Sequence, residues 1–187
     1  MSGKPKLTDG GKKIEQKGQD FRFVDGEPQV FEISIVVRDL EKSMEQFRSL
    51  FGMSPYLIRD EKTPPFYVHG KMVPTARMKY ACFHAGPIRI ELLEAVEGDS
   101  VYAEFLAKRG IGVQHIGVKV SDLDRELAEL QKRGIGVLQS MEIPQVIKMA
   151  YLDTEEVAGV SFELVECEGI PAEESFMRAL RAKGFLR

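Results

Sequence analysis

The chain reads as an α+β protein: two tandem βαβββ modules forming a curved, barrel-like sheet with a central cleft. Two observations predict it. The first is a phrase that occurs twice, as Phe31-Glu32-Ile33-Ser34-Ile35-Val36-Val37-Arg38-Asp39-Leu40-Glu41 and as Gln114-His115-Ile116-Gly117-Val118-Lys119-Val120-Ser121-Asp122-Leu123-Asp124. Each copy runs through an apolar, strand-like stretch to an Asp-Leu-acid turn and then into a helical pattern. The second is another repeat, Ile90-Glu91-Leu92-Leu93-Glu94 and Phe162-Glu163-Leu164-Val165-Glu166. In each half the first phrase precedes the second, and internal repeats decide architecture before any local assignment does.

The first module spans residues 29–97 and the second 113–168, together a domain over 29–168. Residues 1–28 are polar and Lys/Gly-rich, with too little to bury to offset the entropy of ordering, and are expected to be a flexible tail. Phe31–Val37 is β-branched and apolar, as a strand packed on both sides is. Asp39 suits an N-cap, because its carboxylate can accept from free backbone N–H groups. Leu40, Met44, Phe47, Leu50 and Phe51 follow at helical spacing, and Gly52 suits the stop. Pro55–Pro74 predicts a strand followed by a long mobile loop, a candidate lid or a surface insertion. Arg77–Phe83 and Ile88–Leu93 flank the Ala85-Gly86-Pro87 turn as a hairpin, and a short helix from Val101 to near Gly110 joins the modules. The second module repeats the order: strand Val113–Val120, a helix capped by Asp122 with Leu123, Leu127 and Leu130 inward, and strands near Val137–Gln139, Met149–Leu152 and Val160–Val165. Fifty-nine positions separate Glu32 from Glu91 and 48 separate His115 from Glu163, and Pro55–Pro74 is the natural place for the excess. Residues 170–187 predict a C-terminal helix begun at Pro171. The two modules are expected to bury their polished faces against one another and leave the cleft between them.

Composition narrows the function. The chain has 187 residues, 43% of them hydrophobic and 29% charged, with a net charge of -3 and no basic stripe, which argues against nucleic acid. No apolar run approaches the ~20 residues of a membrane span, and the N-terminus lacks an apolar secretory core. Cys82 and Cys167 read as free thiols in a reducing cytoplasm rather than a disulfide.

Alternation of side chains along a strand places Glu91 and Glu163 opposite their apolar neighbours, so that if those neighbours face the helices the acids face the concave surface. With Glu32 and His115 they occupy the four positions that the duplication makes equivalent. One such Glu is ordinarily solvated and one such His ordinarily structural; the set carries the argument. Three ionised carboxylates in one cleft need a cation, and oxygen with one imidazole nitrogen is a normal ligand set for first-row metals. Weaker candidates are His69 in the lid segment and Arg77, Lys79 and Arg89 on the strands leading to Glu91, all able to touch an anionic substrate, although solvent-facing charges are the plainer reading. No nucleophilic triad is supported, and Gly110-Ile111-Gly112 is too short for a phosphate loop.

The segments Glu32–Ser43, Ile90–Leu93, Gln114–Gly117 and Gly159–Leu164 resemble the vicinal oxygen chelate superfamily, the glyoxalase, bleomycin-resistance and extradiol dioxygenase group. The resemblance spans about residues 30–166 and looks most like the methylmalonyl-CoA epimerase and lactoylglutathione lyase branch. It implies a divalent metal (Co, Ni, Zn, Mn or Fe) held by Glu32, Glu91, His115 and Glu163. Glu32 departs from the usual His or Gln; it adds negative charge and argues against an iron dioxygenase, which needs two His. The implied activity is an isomerase, epimerase or lyase acting through an enediolate on a small 2-oxo or acyl-thioester substrate, with Glu163 and Glu91 as the proton-moving residues. A homodimer in the cytoplasm is also implied. The alternatives are a non-catalytic binder of the bleomycin-resistance kind and a metal-dependent dioxygenase.

Overall fold

A computed structural model describes residues 29–167 and the helical positions 178, 181 and 182. The expected N-terminal tail, 1–28, and nearly all of the expected C-terminal helix, 170–187, lie outside the described residues.

The elements run β1 (Gln29–Val36), α1 (Leu40–Phe51), β2 (Leu57–Lys62), β3 (Phe66–Val68), β4 (Lys71–Val73), β5 (Arg77–Ala85), β6 (Ile88–Glu97), α2 (Val101–Arg109), β7 (Gly112–Lys119), α3 (Leu123–Lys132), β8 (Val137–Ile143), β9 (Ile147–Leu152), α4 (Glu155–Ala158) and β10 (Ser161–Cys167). All ten strands form one sheet in the order β2-β5-β6-β1-β7-β10-β9-β8-β3-β4. The first module contributes β1-β6-β5-β2 and the second β7-β10-β9-β8, and the sheet curls into a half-barrel. The modules therefore meet edge to edge through antiparallel β1 and β7, not face to face. Each module's first strand has one side paired by its own last strand, in parallel, and the other side free. Pairing the two free edges satisfies both rows of backbone groups at once.

The helix-facing side follows the predicted alternation. Val37, Leu40, Ala81, Phe83 and Leu92 pack with Phe47 and Met44 of α1. Val118, Leu123, Leu130, Ala150, Leu152 and Leu164 pack with Leu127 of α3. The stripe on α1 ends early: Leu50 and Phe51 are 72% and 66% exposed. Both helices are capped twice in the same way. The Asp39 carboxylate accepts from Lys42 N (2.9 Å) and Glu94 Oε2 from Leu40 N (2.8 Å). Asp122 and Glu166 do the same for Arg125 N (3.0 Å) and Leu123 N (2.8 Å). The second acid of each repeated Glu-x-x-Glu thus serves the helix, on the face opposite the first.

The Pro55–Pro74 segment is not a mobile loop. It holds β2 and the β3–β4 hairpin, which crosses to the second module and pairs with the β8 edge at Tyr67↔Ser140 and Val68↔Gln139. Phe66 and Val68 are buried against Val36, Met78, Leu93, Tyr102 and Tyr151 on the concave side. The 11 extra residues close one end of the curl instead of flapping over it. Between β9 and β10 the chain makes the one-turn helix α4.

Three substitutions test this architecture in thermal or denaturant unfolding. Phe66→Ala is expected to cost about 3–5 kcal/mol, the range for a large aromatic removed from a core; near-zero cost would mean that the hairpin is only surface. A Cβ at Gly117 would lie 2.9 Å from Phe31 Cζ and 3.0 Å from Glu32 Cβ. Gly117→Ala is therefore expected to lose roughly 1–3 kcal/mol, while Gly136→Ala, with nothing within 4 Å of the added atom, stays within about 0.5 kcal/mol.

Candidate metal and proton-transfer site

The strand register brings the four predicted residues to the concave surface of the two central strand pairs. Ser34 lies opposite both Glu91, on β6, and His115, on β7. Gly117 lies opposite both Glu32 and Glu163. A pseudo-twofold axis between β1 and β7 thus exchanges Glu32 with His115, Ser34 with Gly117 and Glu91 with Glu163. It also exchanges Arg89, opposite Glu32, with Ser161, opposite His115.

Glu32, Glu91 and His115 each offer a ligand atom, all within 4.8 Å of one another. His115 Nε2 lies 3.3 Å from Glu32 Oε1 and 3.5 Å from Glu163 Oε2. His115 Nδ1 donates to the Gln114 side-chain oxygen at 2.7 Å, which turns Nε2 toward the acids. Ser34 donates to Glu91 Oε2 at 2.9 Å. Tyr151 donates to Glu163 Oε1 at 2.6 Å and in turn accepts from Tyr102 at 2.5 Å. The Tyr151 ring stands edge-on to the imidazole, centroids 5.1 Å apart. Glu32, His115 and Glu163 are 2%, 1% and 4% exposed, whereas Glu91 is half-buried and forms the accessible side of the group.

The charges answer to this burial. Burial pushes Glu91 up to about 7, with the Glu32 charge adding to the rise. Glu163 is raised by burial too, against the opposing pull of His115. Burial would also raise Glu32, but the Arg89 guanidinium and then His115 outweigh it and hold this carboxyl low. Burial works against a charged His115, yet its bond to Glu32 and the charge of Glu163 raise it. The phenols of Tyr102 and Tyr151 are raised well above their ordinary value by burial and by the Glu163 charge.

Of the weaker candidates, only Arg89 reaches the site. Its guanidinium forms a buried ion pair with Glu32 and lies over the Phe31 ring, 5.5 Å from the centroid. Arg77 and Lys79 face the helix side of β5, where they pair with Asp60 (2.7 Å) and Glu41 (2.9 Å). His69 pairs with Glu104 on the surface at 2.9 Å. Ser34, Gln114, Tyr102 and Tyr151 were not among the predicted residues. Strand parity was the available signal for Ser34 and Arg89: each lies two positions from a predicted acid and so shares its face. Tyr102, on the connecting helix, had none.

A family model for the glyoxalase, bleomycin resistance protein and dioxygenase superfamily matches residues 31–151. The chain belongs to this superfamily. An uncharacterised protein of Bacillus subtilis, YqjC, is 29% identical over 128 residues, 63% of this chain and 90% of that one. The methylmalonyl-CoA epimerase of Mycobacterium tuberculosis superposes with a TM-score of 0.55 at 23% identity, covering 75% of this chain and 88% of the other. A hypothetical protein of Bacillus halodurans gives 0.60 at 21%, covering 78% and 99%. These likenesses are in fold. No helix among the described residues is long and apolar enough to cross a membrane.

The donor set of this superfamily member fits a divalent metal ion. Carboxylate oxygens and an imidazole nitrogen converge, the Gln114 contact presents the nitrogen a metal needs, and Glu91 is raised by burial first and then by the neighbouring Glu32 charge. The sign of the pH effect follows. Glu91 and Glu163 bind protons more tightly folded than unfolded, so the stability they contribute is present below about pH 4.5 and is lost as pH rises through their folded values. His115, also raised, acts in the same direction above about pH 6.5, and the opposite contribution of Glu32 is confined to more acidic conditions. Metal-free protein is expected to lose melting temperature from pH 5 to pH 8, and added Co2+ or Mn2+ to restore it at pH 8. A flat profile in chelator, followed from pH 5 to 8, would contradict this charge assignment.

Proposed function

We propose that the chain is a metal-dependent isomerase, epimerase or lyase that moves a proton at a carbon next to a carbonyl in a small 2-oxo or acyl-thioester compound. The observation that carries this reading is the convergence of Glu32, Glu91 and His115 within 4.8 Å, with Glu163 beside the same imidazole. A divalent ion held by these residues would supply Lewis acidity to the substrate carbonyl. The rest of the chemistry belongs to the chain. Glu163, oriented by Tyr151 at Oε1, takes the proton at Oε2, and Glu91, anchored by Ser34 at Oε2, is its counterpart across the pseudo-twofold. Two carboxyls from opposite halves can serve the two faces of one carbon, as epimerisation requires; return to the adjacent carbon gives isomerisation. The fold similarity to methylmalonyl-CoA epimerases, one of them in complex with methylmalonyl-CoA, supports an acyl-thioester as the first compound to try.

The enclosure of three of the four residues favours a second reading, a binding protein without turnover, and solvent-proton exchange separates the two. Methylmalonyl-CoA and a panel of 2-oxo thiol adducts, incubated in D2O with metal-loaded protein, are expected to show deuterium at the α-carbon by NMR. Glu163→Gln and Glu91→Gln are each expected to slow exchange by about 10²–10⁴-fold. Exchange at the wild-type rate in Glu163→Gln would remove it from the proton-moving role, and no exchange with any compound would leave the binding reading. A cytoplasmic homodimer belongs to the same proposal.

A further inference from the structure

The pseudo-twofold is broken most sharply at one pair of positions. The second half carries His115 opposite Ser161, and the first carries Glu32 opposite Arg89. A neutral ligand with a small neighbour thus corresponds to an anionic ligand with a cationic neighbour. Both members of the charged pair are buried, and no other guanidinium or ammonium is paired with Glu32 among the described residues. Arg89 bonds Glu32 at Oε2 and leaves Oε1 on the His115 side. The guanidinium is held from a further direction by the Phe31 ring. Gly117 makes room beneath the arrangement, because any Cβ there would strike Phe31 and Glu32.

The geometry points to Arg89 as a positioning residue that turns Glu32 into a ligand of nearly neutral charge, so that the metal senses a Glu32–Arg89 unit where a lone glutamate would bind it far more tightly. This rests on the metal-site reading above. A bare carboxylate at this place would add a full negative charge to a group that already has two more. The excess would strengthen cation binding and quench the ion's pull on substrate oxygens. An arginine bonded to the far oxygen cancels most of that charge while leaving the near oxygen available, and its planar fork also fixes the carboxylate plane. The inward-facing positive charge and the anionic ligand are therefore one coupled substitution.

The test is metal affinity, followed by calorimetric titration of Mn2+ into metal-free protein, with melting temperatures in chelator and in excess Mn2+. Arg89→Met is expected to bind Mn2+ at least about tenfold more tightly than wild type, to melt lower in chelator because Glu32 is left buried and unpaired, and to gain more from metal than wild type does. The double variant Glu32→Gln/Arg89→Met removes the unit as a whole and is expected to return affinity to within about threefold of wild type. It also keeps the test decisive if Arg89→Met alone fails to fold. Wild-type or weaker affinity in Arg89→Met, or loss of metal in a folded double variant, would overturn the inference while leaving the metal site standing. Absence of binding in wild type would instead overturn the metal site itself, and this inference with it.

Discussion

Everything on the concave side of this sheet is arranged around the difficulty of keeping Glu32, Glu91 and Glu163 in one enclosed space. Each faces inward because its neighbours Ile33, Leu92 and Leu164 face outward, and a strand offers no third direction. Moving a carboxylate from water into such surroundings is costly unless it is paired or protonated. The molecule answers with a hydrogen-bond donor or a cation for each: Arg89 for Glu32, Ser34 for Glu91, Tyr151 for Glu163. Glu91 is still raised, by burial first and then by the Glu32 charge, and a divalent ion would relieve both.

The sheet can afford this polar centre because apolar packing brackets it. Phe66, Val68, Met78, Leu93, Tyr102 and Phe105 fill one part of the curl, and Phe31, Ile143, Val146, Ile147 and Val165 another. The β3–β4 hairpin belongs to the first of these clusters. It carries two buried side chains into the second module's edge and covers a row of β8 backbone groups that would otherwise be open to pairing with another chain. Its burial also ties the interior to Tyr102, and through the two phenols to Glu163.

Much of this was legible in the chain. The repeated phrases carried the module order and the equivalence of His115 with Glu32, and strand parity carried the inward direction of Glu91 and Glu163. Asp39 and Asp122 announced their helices by side-chain chemistry alone. What escaped notice depended on distant pairing. Phe66–Val68 is too short to show a period, follows Pro64-Pro65, and becomes a strand only because β8, some seventy positions later, offers an edge. Tyr102 is an ordinary apolar position of α2 until Tyr151 meets it. The edge-to-edge seam was missed for a related reason: each module reads as a complete unit with a face to bury, and nothing local shows that its first strand has a free side.

The duplication also separates scaffold from chemistry. Where the halves agree, the residues build: Asp39 and Asp122 cap, Glu94 and Glu166 tether, and Lys79 and Lys148 pair with the acids of the facing helices. Where they differ, the residues lie around the acids. Glu91 has Cys82 across from it on β5, a thiol raised by burial that keeps its proton, while Glu163 has Tyr151 on β9, a strong donor. Glu32 is set against His115, and Arg89 against Ser161. Two equivalent carboxyls in identical settings would compete for one proton on equal terms. Burial raises both, but the Glu32 charge adds to the rise of Glu91 while His115 pulls against that of Glu163, so in the proposed proton transfer the two would not act as interchangeable groups. The asymmetry lies where such chemistry would use it, and the symmetry lies where only stability is needed.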